Sequence, residues 1–206
     1  DPLYIKPEPL IPRERRYEIE ERLDSKGKIL TKINKQNLKN IINNLKFDKV
    51  ESIAVTLIHS YANDTHERII GDIVSEELPQ CFVTLSVDIL PEIREYERTS
   101  TTAINAYVGP PVKSYVNSLI NILKESGFTS NLLMMQSSGG MMDAETVVKN
   151  PAQIVECGPA AGVIGSAYLG SLTNINNLIT LDMGGTTAKA SLIENGNLMT
   201  TDEYEV

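Results

Sequence analysis

A glycine- and threonine-rich turn near the end of the chain carries the residue types that bind phosphate. A short apolar run ends on Asp182, and the turn that follows contains Gly184, Gly185, Thr186 and Thr187. Adjacent glycines let backbone N–H groups approach an anion closely, and the two threonine hydroxyls add hydrogen-bond donors. A carboxylate at the end of a strand can hold Mg²⁺ through water or orient an attacking water. An ordinary glycine-rich hairpin turn is the alternative interpretation.

Lys189 lies two residues beyond this turn, so it shares a strand face with the last residue of the turn. From that face its ammonium group could reach a bound phosphate, whereas a solvated lysine is the alternative. A second apolar run over residues 188–193 leads to Asn195-Gly196, a pair typical of tight hairpins. We therefore predict a strand–turn–strand unit in which Asp182 is the catalytic and magnesium-contacting carboxylate.

Three further loops carry polar groups directly after strand-like apolar runs. Ligands of open α/β sheets bind beyond the carboxyl ends of the strands, so these loops are candidate substrate contacts. Each loop also has a purely structural interpretation. In chain order, these are a hydrogen-bonded structural histidine in the first loop, a surface salt-bridge network in the second and a simple turn in the third. The loops are residues 59–63, 88–98 and 136–140, and the candidate contacts in them are His59, Arg94, Arg98, Ser137, Ser138, Gly139 and Gly140. Either arginine could clamp a carboxylate.

Alternating strand-like and helix-like patterns predict an α/β fold, a mostly parallel sheet with flanking helices. The predicted strands are residues 52–58, 82–87 and 131–136, with an earlier hairpin of residues 17–21 and 28–31. The predicted helices begin after Asn34, after Asn63 or Asp64, at the threonine-rich residues 99–102 and at Asp143, and Pro110-Pro111 is expected to divide the third of them.

A helix rich in small residues is predicted over residues 157–167, immediately before the phosphate-binding hairpin. Pro159 is tolerated in its first turn because a backbone N–H has no helical partner there. A glycine inside a helix costs about 1 kcal/mol relative to alanine, so Gly162 and Gly165 indicate that another backbone packs closely, as at a domain hinge. A buried helix against a crowded sheet is the alternative.

The composition is that of an ordinary folded protein with excess negative charge. Hydrophobic residues make up 41% of the 206 residues, and the formal net charge of −8 argues against nucleic acid or an anionic membrane as a partner. The sequence contains no apolar run of transmembrane length and no signal peptide, and its two cysteines and two histidines are too few for a zinc site. We expect a cytoplasmic protein with reduced thiols. Because the chain begins without methionine, we also expect a piece of a longer polypeptide.

Six blocks of the sequence resemble, in the same order, the hydantoinase A/5-oxoprolinase family. They are residues 59–62, 90–102, 105–110, 135–140, 158–162 and 182–187. The succession of a small-residue helix, a strand ending in aspartate, a Gly-Gly-Thr turn and a second strand is also similar to the superfamily of actin, heat-shock chaperone and sugar-kinase ATPases. That similarity implies an actin-like (ribonuclease H-like) ATPase fold.

The family resemblance implies ATP-dependent opening of a cyclic amide or imide ring, such as hydantoin, N-methylhydantoin or 5-oxoproline. It implies ATP and Mg²⁺ as cofactors, with phosphorylation of the ring carbonyl oxygen before the ring opens. Residues 184–187 and Lys189 would then contact the β- and γ-phosphates. A hydantoinase B-type subunit or fused domain is the implied partner, and the full-length protein is expected to be an oligomer. Acetone and acetophenone carboxylase subunits share this architecture, so an ATP-dependent ketone carboxylase is an alternative.

The resemblance assigns residues 1–156 to the end of an N-terminal hydantoinase/oxoprolinase domain and residues 157–206 to the start of the hydantoinase A domain. Family members carry an earlier phosphate loop of the same type, which nothing in residues 1–150 matches. We therefore expect the isolated chain to bind ATP weakly or not at all and to be inactive. A sugar-kinase-like phosphotransferase and a non-catalytic actin-like ATPase module are alternatives from other function classes.

Overall fold

The computed structural model describes residues 8–200, which form two compact units divided between Ser114 and Tyr115. The first unit combines a β-hairpin with a parallel strand pair and several helices, and the second contains two antiparallel sheets and a helix rich in small residues. None of the helices in residues 8–200 is both long and apolar enough to cross a lipid bilayer. The predicted domain boundary after residue 156 concerns a longer polypeptide and stays a prediction.

The first unit contains an antiparallel hairpin of strands β1 (Arg22–Leu23) and β2 (Ile29–Thr31). The hairpin is predicted correctly, although its first strand lies after the predicted residues 17–21. Its turn is held by Asp24, whose carboxylate accepts hydrogen bonds of 2.9 Å from the backbone N–H groups of Lys26 and Lys28. A Cβ atom on Gly27 would lie 2.8 Å from the Ala62 carbonyl oxygen, so the hairpin packs directly on the loop of residues 59–63.

Helix α1 (Lys35–Phe47) follows, and its start and apolar face are as predicted. The side-chain oxygen of Asn34 accepts hydrogen bonds of 3.1 Å from the N–H groups of Gln36 and Asn37, which caps the helix. Its apolar residues recur at helical spacing and are buried together in the core of the first unit. They are Leu38, Ile41, Ile42 and Leu45.

The core is completed by a strand–helix–strand unit of β3 (Ser52–Val55), α2 (Thr65–Glu77) and β4 (Phe82–Leu85). The two strands pair in parallel, with Ser52 opposite Phe82 and Val55 opposite Leu85. Helix α2 ends before Pro79, as predicted. Both strands are shorter than their apolar runs: β3 ends at Val55, and β4 passes at Leu85 directly into a single helical turn of residues 86–89.

Two helices follow β4: a single turn, α3 (Ser86–Ile89), and the long helix α4 (Glu95–Glu125). The prediction that Pro110-Pro111 divides the long helix is wrong, because both prolines lie inside a continuous α4. A proline inside a helix removes one hydrogen bond, and its ring also crowds the residue before it; because Gly109 has no Cβ, part of that crowding is absent here. The boundary between the two units falls within this helix.

The second unit begins with a hairpin of β5 (Leu133–Met135) and β6 (Met141–Asp143) and a short helix α5 (Ala144–Lys149), which is capped by Asp143. The predicted small-residue helix forms α6 (Cys157–Thr173). An antiparallel sheet of β7 (Leu178–Met183), β8 (Ala188–Glu194) and β9 (Asn197–Leu198) completes the unit.

The α/β class is correct, but the prediction of a mostly parallel sheet is wrong for the part of the chain that the structure describes. Among residues 8–200, β3 and β4 form the one parallel pair, and the other strand pairs are antiparallel. The apolar run at residues 131–136 pairs with the next strand through a short turn, and such a turn permits only antiparallel pairing. Apolar patterning indicates a strand but not its direction.

Candidate functional site

The predicted phosphate-binding turn lies at the open end of the β7–β8 hairpin. The ladder closes with Met183 opposite Ala188, and the N–H of Gly184 donates to the carbonyl oxygen of Thr187 at 2.9 Å. Within residues 8–200, the backbone N–H groups of Gly185 and Thr186 have no hydrogen-bond partner. The whole turn is exposed to solvent. It therefore presents unpaired backbone donors that an anion could reach.

The other end of this hairpin is fixed to the end of α6. Asn195 and Gly196 form its tight turn with φ of 52° and 77°, the conformation that the Asn-Gly pair predicts. The N–H of Gly196 donates to the Asn176 carbonyl oxygen at 2.8 Å. A Cβ on Gly170 would lie 2.6 Å from Leu178 Cδ1, so this glycine permits the close helix–strand contact.

Lys189 connects the turn end of the hairpin to the start of α6. It lies directly opposite Asp182 in the ladder, and residues opposite each other in an antiparallel pair project on the same face. Its ammonium group forms an ion pair with the carboxylate of Glu156, the residue that precedes α6. The start of α6 therefore lies at the same end of the sheet as the phosphate-binding turn.

Glu156 is a site residue that the sequence analysis missed. It adopts a left-handed backbone conformation with φ of 64°, and its side chain does not cap the helix that follows. Its carboxylate instead pairs with Lys189. The sequence contained a usable signal for this residue. An acidic residue stands directly before the small-residue helix, and that helix precedes the predicted phosphate-binding turn, so the acidic side chain is well placed to contact the turn.

The residues around this turn could hold a phosphate group together with a hydrated Mg²⁺. Within residues 8–200, no three His, Cys, Asp or Glu side chains form a group that could hold a metal ion. Magnesium commonly binds one or two carboxylates together with substrate phosphates and waters. Asp182 and Glu156 could supply such carboxylates, and Lys189 with the free N–H groups could supply the phosphate contacts.

The predicted substrate loop of residues 136–140 is a tightly braced turn in the second unit. The Ser137 hydroxyl lies within hydrogen-bond reach of the carbonyl oxygens of Gln153, at 2.9 Å, and Val155. Ser138 donates to the side-chain oxygen of Gln136 at 3.0 Å. Gly139 has a φ of 91°, and a Cβ on it would lie 2.5 Å from Ile164 Cδ1 on α6.

These contacts make the loop a support for the segment that leads to Glu156. A Cβ on Gly140 would lie 2.8 Å from the side-chain oxygen of Gln136, so this second glycine also meets its own turn. Because the single O–H donor of Ser137 already faces two carbonyl oxygens, the hydroxyl could offer a ligand only its acceptor lone pairs. The substrate role of residues 137–140 stays a prediction, whereas these contacts show that the turn has a structural role.

In the first unit, two predicted substrate residues converge on the loop that follows β3. His59 has a φ of 61°, and its Nδ1 lies 3.0 Å from the Leu23 carbonyl oxygen, so Nδ1 carries the proton in that bond. Its ring meets the Tyr61 ring edge to face at 6.0 Å. The guanidinium of Arg98 lies over the same tyrosine at 5.6 Å. Tyr61 therefore lies in contact with both predicted residues.

The two predicted arginines differ sharply. Arg98 is completely buried and donates from Nη2 to the Leu57 carbonyl oxygen at 2.7 Å. The side chain of Arg94 is 65% exposed and forms an ion pair of 3.6 Å with Glu97. Arg94 thus matches the interpretation as a surface salt bridge, which contributes little to stability. The burial of Arg98 is inconsistent with a surface salt bridge.

A buried carboxylate beside this loop was also missed. Glu67 on α2 is fully buried and accepts hydrogen bonds from the Leu57 N–H at 2.8 Å, the Ser86 hydroxyl at 2.7 Å and the Val87 N–H at 3.1 Å. It therefore ties the loop after β3 to the start of α3, which follows β4. Its position on the apolar face of α2 was a usable signal, because a charged residue among Ile70 and its neighbours must be satisfied internally.

Comparisons with known proteins agree on one family. A family model described as hydantoinase/oxoprolinase matches residues 98–206, and a model of the N-terminal region of that family matches residues 2–78. Protein MJ0964 of Methanocaldococcus jannaschii is 44% identical over 206 residues, which are all of this chain and 30% of that protein. The caprolactamase α subunit of Pseudomonas jessenii is 29% identical over 91% of this chain and 27% of its own length. The 5-oxoprolinase of Saccharomyces cerevisiae is 33% identical over 83% of this chain and 13% of its own length.

Two solved structures are similar to this fold. The nucleotide-free structure of acetone carboxylase matches with a TM-score of 0.87 and 30% identity over 95% of this chain and 28% of that chain. The ATP-dependent caprolactamase of Pseudomonas jessenii matches with a TM-score of 0.80 and 29% identity over 93% and 28% of the two chains. The chain thus spans less than a third of each of these relatives and solved structures.

Proposed function

The chain belongs to the hydantoinase/oxoprolinase family, and on this premise we propose that it is part of an ATP-dependent hydrolase that opens a cyclic amide or imide ring. The family supports this proposal through its ATP-dependent caprolactamase and its 5-oxoprolinases, both of which act on cyclic amides. The relatives are several times longer than this chain. The activity therefore belongs to the whole protein, to which this chain contributes one portion.

The observation that carries the proposal is the arrangement at the β7–β8 turn. Unpaired N–H groups of Gly185 and Thr186 and the ammonium of Lys189 lie together at the end of the sheet where α6 begins. The positive end of the helix dipole favours a bound anion at this place. Bound Mg·ATP would supply the phosphoryl group that activates the ring carbonyl oxygen. Asp182 and Glu156 would orient water on the magnesium, while Lys189 would neutralise phosphate charge.

Phosphate binding at this turn requires an exchange of ionic partners. Lys189 is already paired with Glu156 and lies opposite Asp182, so a phosphate must compete with two carboxylates for one ammonium. Asp182 and Glu156 would be the carboxylates to hold a hydrated Mg²⁺, and with their charge so engaged Lys189 would be free to pair with the phosphate. The site is therefore better suited to Mg·ATP than to free ATP, and magnesium dependence is part of the proposal.

A ketone carboxylase is a second candidate, because the solved structure of acetone carboxylase matches this chain with a TM-score of 0.87. Acetone and acetophenone carboxylase subunits are also among the relatives. The β7–β8 turn serves either reaction equally, since both begin with ATP. Because several relatives are named as subunits, we propose that the whole protein works with a partner subunit of the hydantoinase B type or with a fused equivalent.

The decisive experiment is an ADP-release assay of the full-length protein with the protein encoded beside it. The substrates are hydantoin, N-methylhydantoin, 5-oxoproline, caprolactam, and acetone or acetophenone with bicarbonate. We expect ADP release that depends on one cyclic amide and yields the ring-opened acid. ADP release that depends only on a ketone and bicarbonate would assign the carboxylase function instead, and ADP release independent of every substrate would refute both.

Asp182→Asn tests the role of the aspartate in the same assay. The variant keeps the size of the side chain but removes its charge and replaces one acceptor oxygen with an NH₂ donor. We expect a loss of kcat of about a hundredfold, in the range seen when a single electrostatic catalytic group is removed, and a higher Mg²⁺ requirement. Asp72→Asn on α2 is the matched control. An unchanged kcat and Mg²⁺ requirement in Asp182→Asn would contradict the assignment.

A further inference from the structure

We propose that Arg98 binds a small oxyanion, either a carboxylate or a phosphate group, beside the first turn of α4. The residues that carry this inference all lie in the first unit, so it does not depend on the function proposed for the β7–β8 turn. Long side chains on a helix lean toward the N-terminus, and the Arg98 guanidinium accordingly lies 4.0 Å from Glu95, one turn earlier on α4.

The first observation is a set of unused donors on a buried cation. Arg98 is completely buried, and its Nη2 is occupied by the Leu57 carbonyl oxygen. Within residues 8–200, its Nε and Nη1 atoms have no hydrogen-bond partner. A guanidinium group cannot be neutralised at physiological pH, so its unused N–H groups remain donors. Buried donors without partners are uncommon in native proteins, and each calls for an acceptor.

The second observation is that the charge of Arg98 has no close counterion. The nearest carboxylate oxygen among the ion pairs of the described residues is that of Glu95 at 4.0 Å, and the Glu95 side chain is 46% exposed. The buried carboxylate of Glu67 is already occupied by three neutral donors. The amino end of the long helix α4 adds positive potential at the same place. An anion is therefore the complement that this environment favours.

The chemistry of the guanidinium narrows the choice of ligand. Its planar array of N–H donors matches the oxygens of carboxylate and phosphate groups, and such charge-assisted bonds are short and strong. The Tyr61 ring lies against the guanidinium at 5.6 Å and is itself only half-buried, so a partly exposed ring covers Arg98. We infer that the oxyanion reaches Arg98 when the Tyr61 ring turns aside.

The test observes Arg98 directly in the full 206-residue chain. The arginine Nε–H resonances are recorded by ¹H–¹⁵N NMR while acetate or inorganic phosphate is added at constant ionic strength. We expect the Arg98 resonance to shift and to saturate with one or both oxyanions. A response to acetate alone identifies a carboxylate site, and a response to phosphate alone identifies a phosphate site. If neither oxyanion produces a saturable shift, the proposal is overturned.

Two variants complete the test. Arg98→Lys removes the Arg98 Nε–H resonance and so assigns it, whereas Arg94→Lys, which changes the exposed arginine at the same end of α4, should retain that resonance and its response. If Arg98→Lys does not fold, through-bond assignment of the Nε–H in the unaltered chain identifies the resonance instead. Lys189→Met in the second unit should leave the shift of the Arg98 resonance intact. The function proposed for the β7–β8 turn and the oxyanion binding proposed for Arg98 can therefore fail independently of each other.

Discussion

Lys189 is the cationic residue that lies beside both carboxylates of the candidate site. It lies opposite Asp182 and pairs with Glu156, so one ammonium group faces two carboxylates at the edge of an open turn. In the absence of a ligand, this arrangement keeps the lysine next to the site instead of free in solvent. Because its partners are exposed or half-buried, the pair contributes little to stability. We propose that the pair instead positions the lysine for a phosphate.

Lys189→Met in the full-length protein should raise the KM for ATP by roughly ten- to a hundredfold, since a hydrogen bond to a charged group is worth about 1.5–3 kcal/mol. The methionine keeps the length of the side chain and removes only the charge and its donors. Steady-state kinetics with saturating second substrate measure the effect. Lys113→Met, at an exposed position on α4, is the matched control. Equal KM values for the two variants would show that Lys189 does not contact the nucleotide.

Cys81 provides a test of burial in the first unit. Burial raises the pKa of its thiol to about 11, because the apolar surroundings disfavour the thiolate. The folded pKa lies above the unfolded value near 9, so the stabilising contribution is complete below about pH 9 and is lost as the pH rises through 11. We expect alkylation of Cys81 at pH 8.5 to be much slower in the folded chain than in urea, as measured by peptide mapping. Equal rates in the two states would contradict its burial.

At the scale of elements, Gly109 explains how α4 remains continuous through Pro110-Pro111. A Cβ at Gly109 would lie 2.3 Å from Phe82 Cε1, so the helix also approaches β4 more closely than any other residue type would allow. The missing Cβ thus serves two purposes. It removes part of the clash with the following proline ring, and it admits the Phe82 ring into the helix surface.

Gly109→Ala should destabilise the first unit by about 1–3 kcal/mol, the usual cost of overpacking a close contact. Urea denaturation of the full chain, followed by circular dichroism, measures the change in the free energy of unfolding. Gly162→Ala in α6 is the control, because its Cβ would meet nothing within 4 Å. That control should gain about 0.5–1 kcal/mol in helix propensity. A neutral or stabilising Gly109→Ala would mean that the close contact with Phe82 is absent.

At the scale of the whole molecule, the β7–β8 turn is an open, one-sided site. Its donors come from a single exposed turn and one lysine, and nothing in residues 1–150 matches a second phosphate loop. We therefore expect the 206-residue chain to bind Mg·ATP with a Kd weaker than about 1 mM, which corresponds to a binding free energy of less than about 4 kcal/mol. Isothermal titration calorimetry tests this, and a Kd in the micromolar range would contradict it.

The sequence predicted the elements whose signals are local. The Asn34 cap, the apolar face of α1, the small-residue helix and the Asn195-Gly196 turn all follow from interactions between near neighbours in the chain. The family was also predicted correctly from its blocks. The direction of strand pairing was not predicted, because apolar patterning is the same for parallel and antiparallel strands.

The candidate site was only partly predictable for a similar reason. The turn of residues 184–187 and Lys189 are contiguous in sequence, so their proximity was evident. Glu156 reaches Lys189 only because α6 packs along the sheet. Likewise, the partner of the buried Arg98 guanidinium is the Leu57 carbonyl oxygen, which lies 41 residues earlier in the sequence. Such long-range contacts leave no periodic signal in the chain.

The continuity of α4 has a practical consequence for dissecting this protein. A fragment that ended at the boundary between the compact units would cut the helix between Ser114 and Tyr115 and break its hydrogen-bond ladder on both sides. Each new end would leave four backbone groups without helical partners. Expression fragments should instead be divided at the Ser126–Gly127 turn, where Gly127 has a φ of 81° and the helix has already ended. Limited proteolysis is expected to cleave there before it cleaves inside the helix.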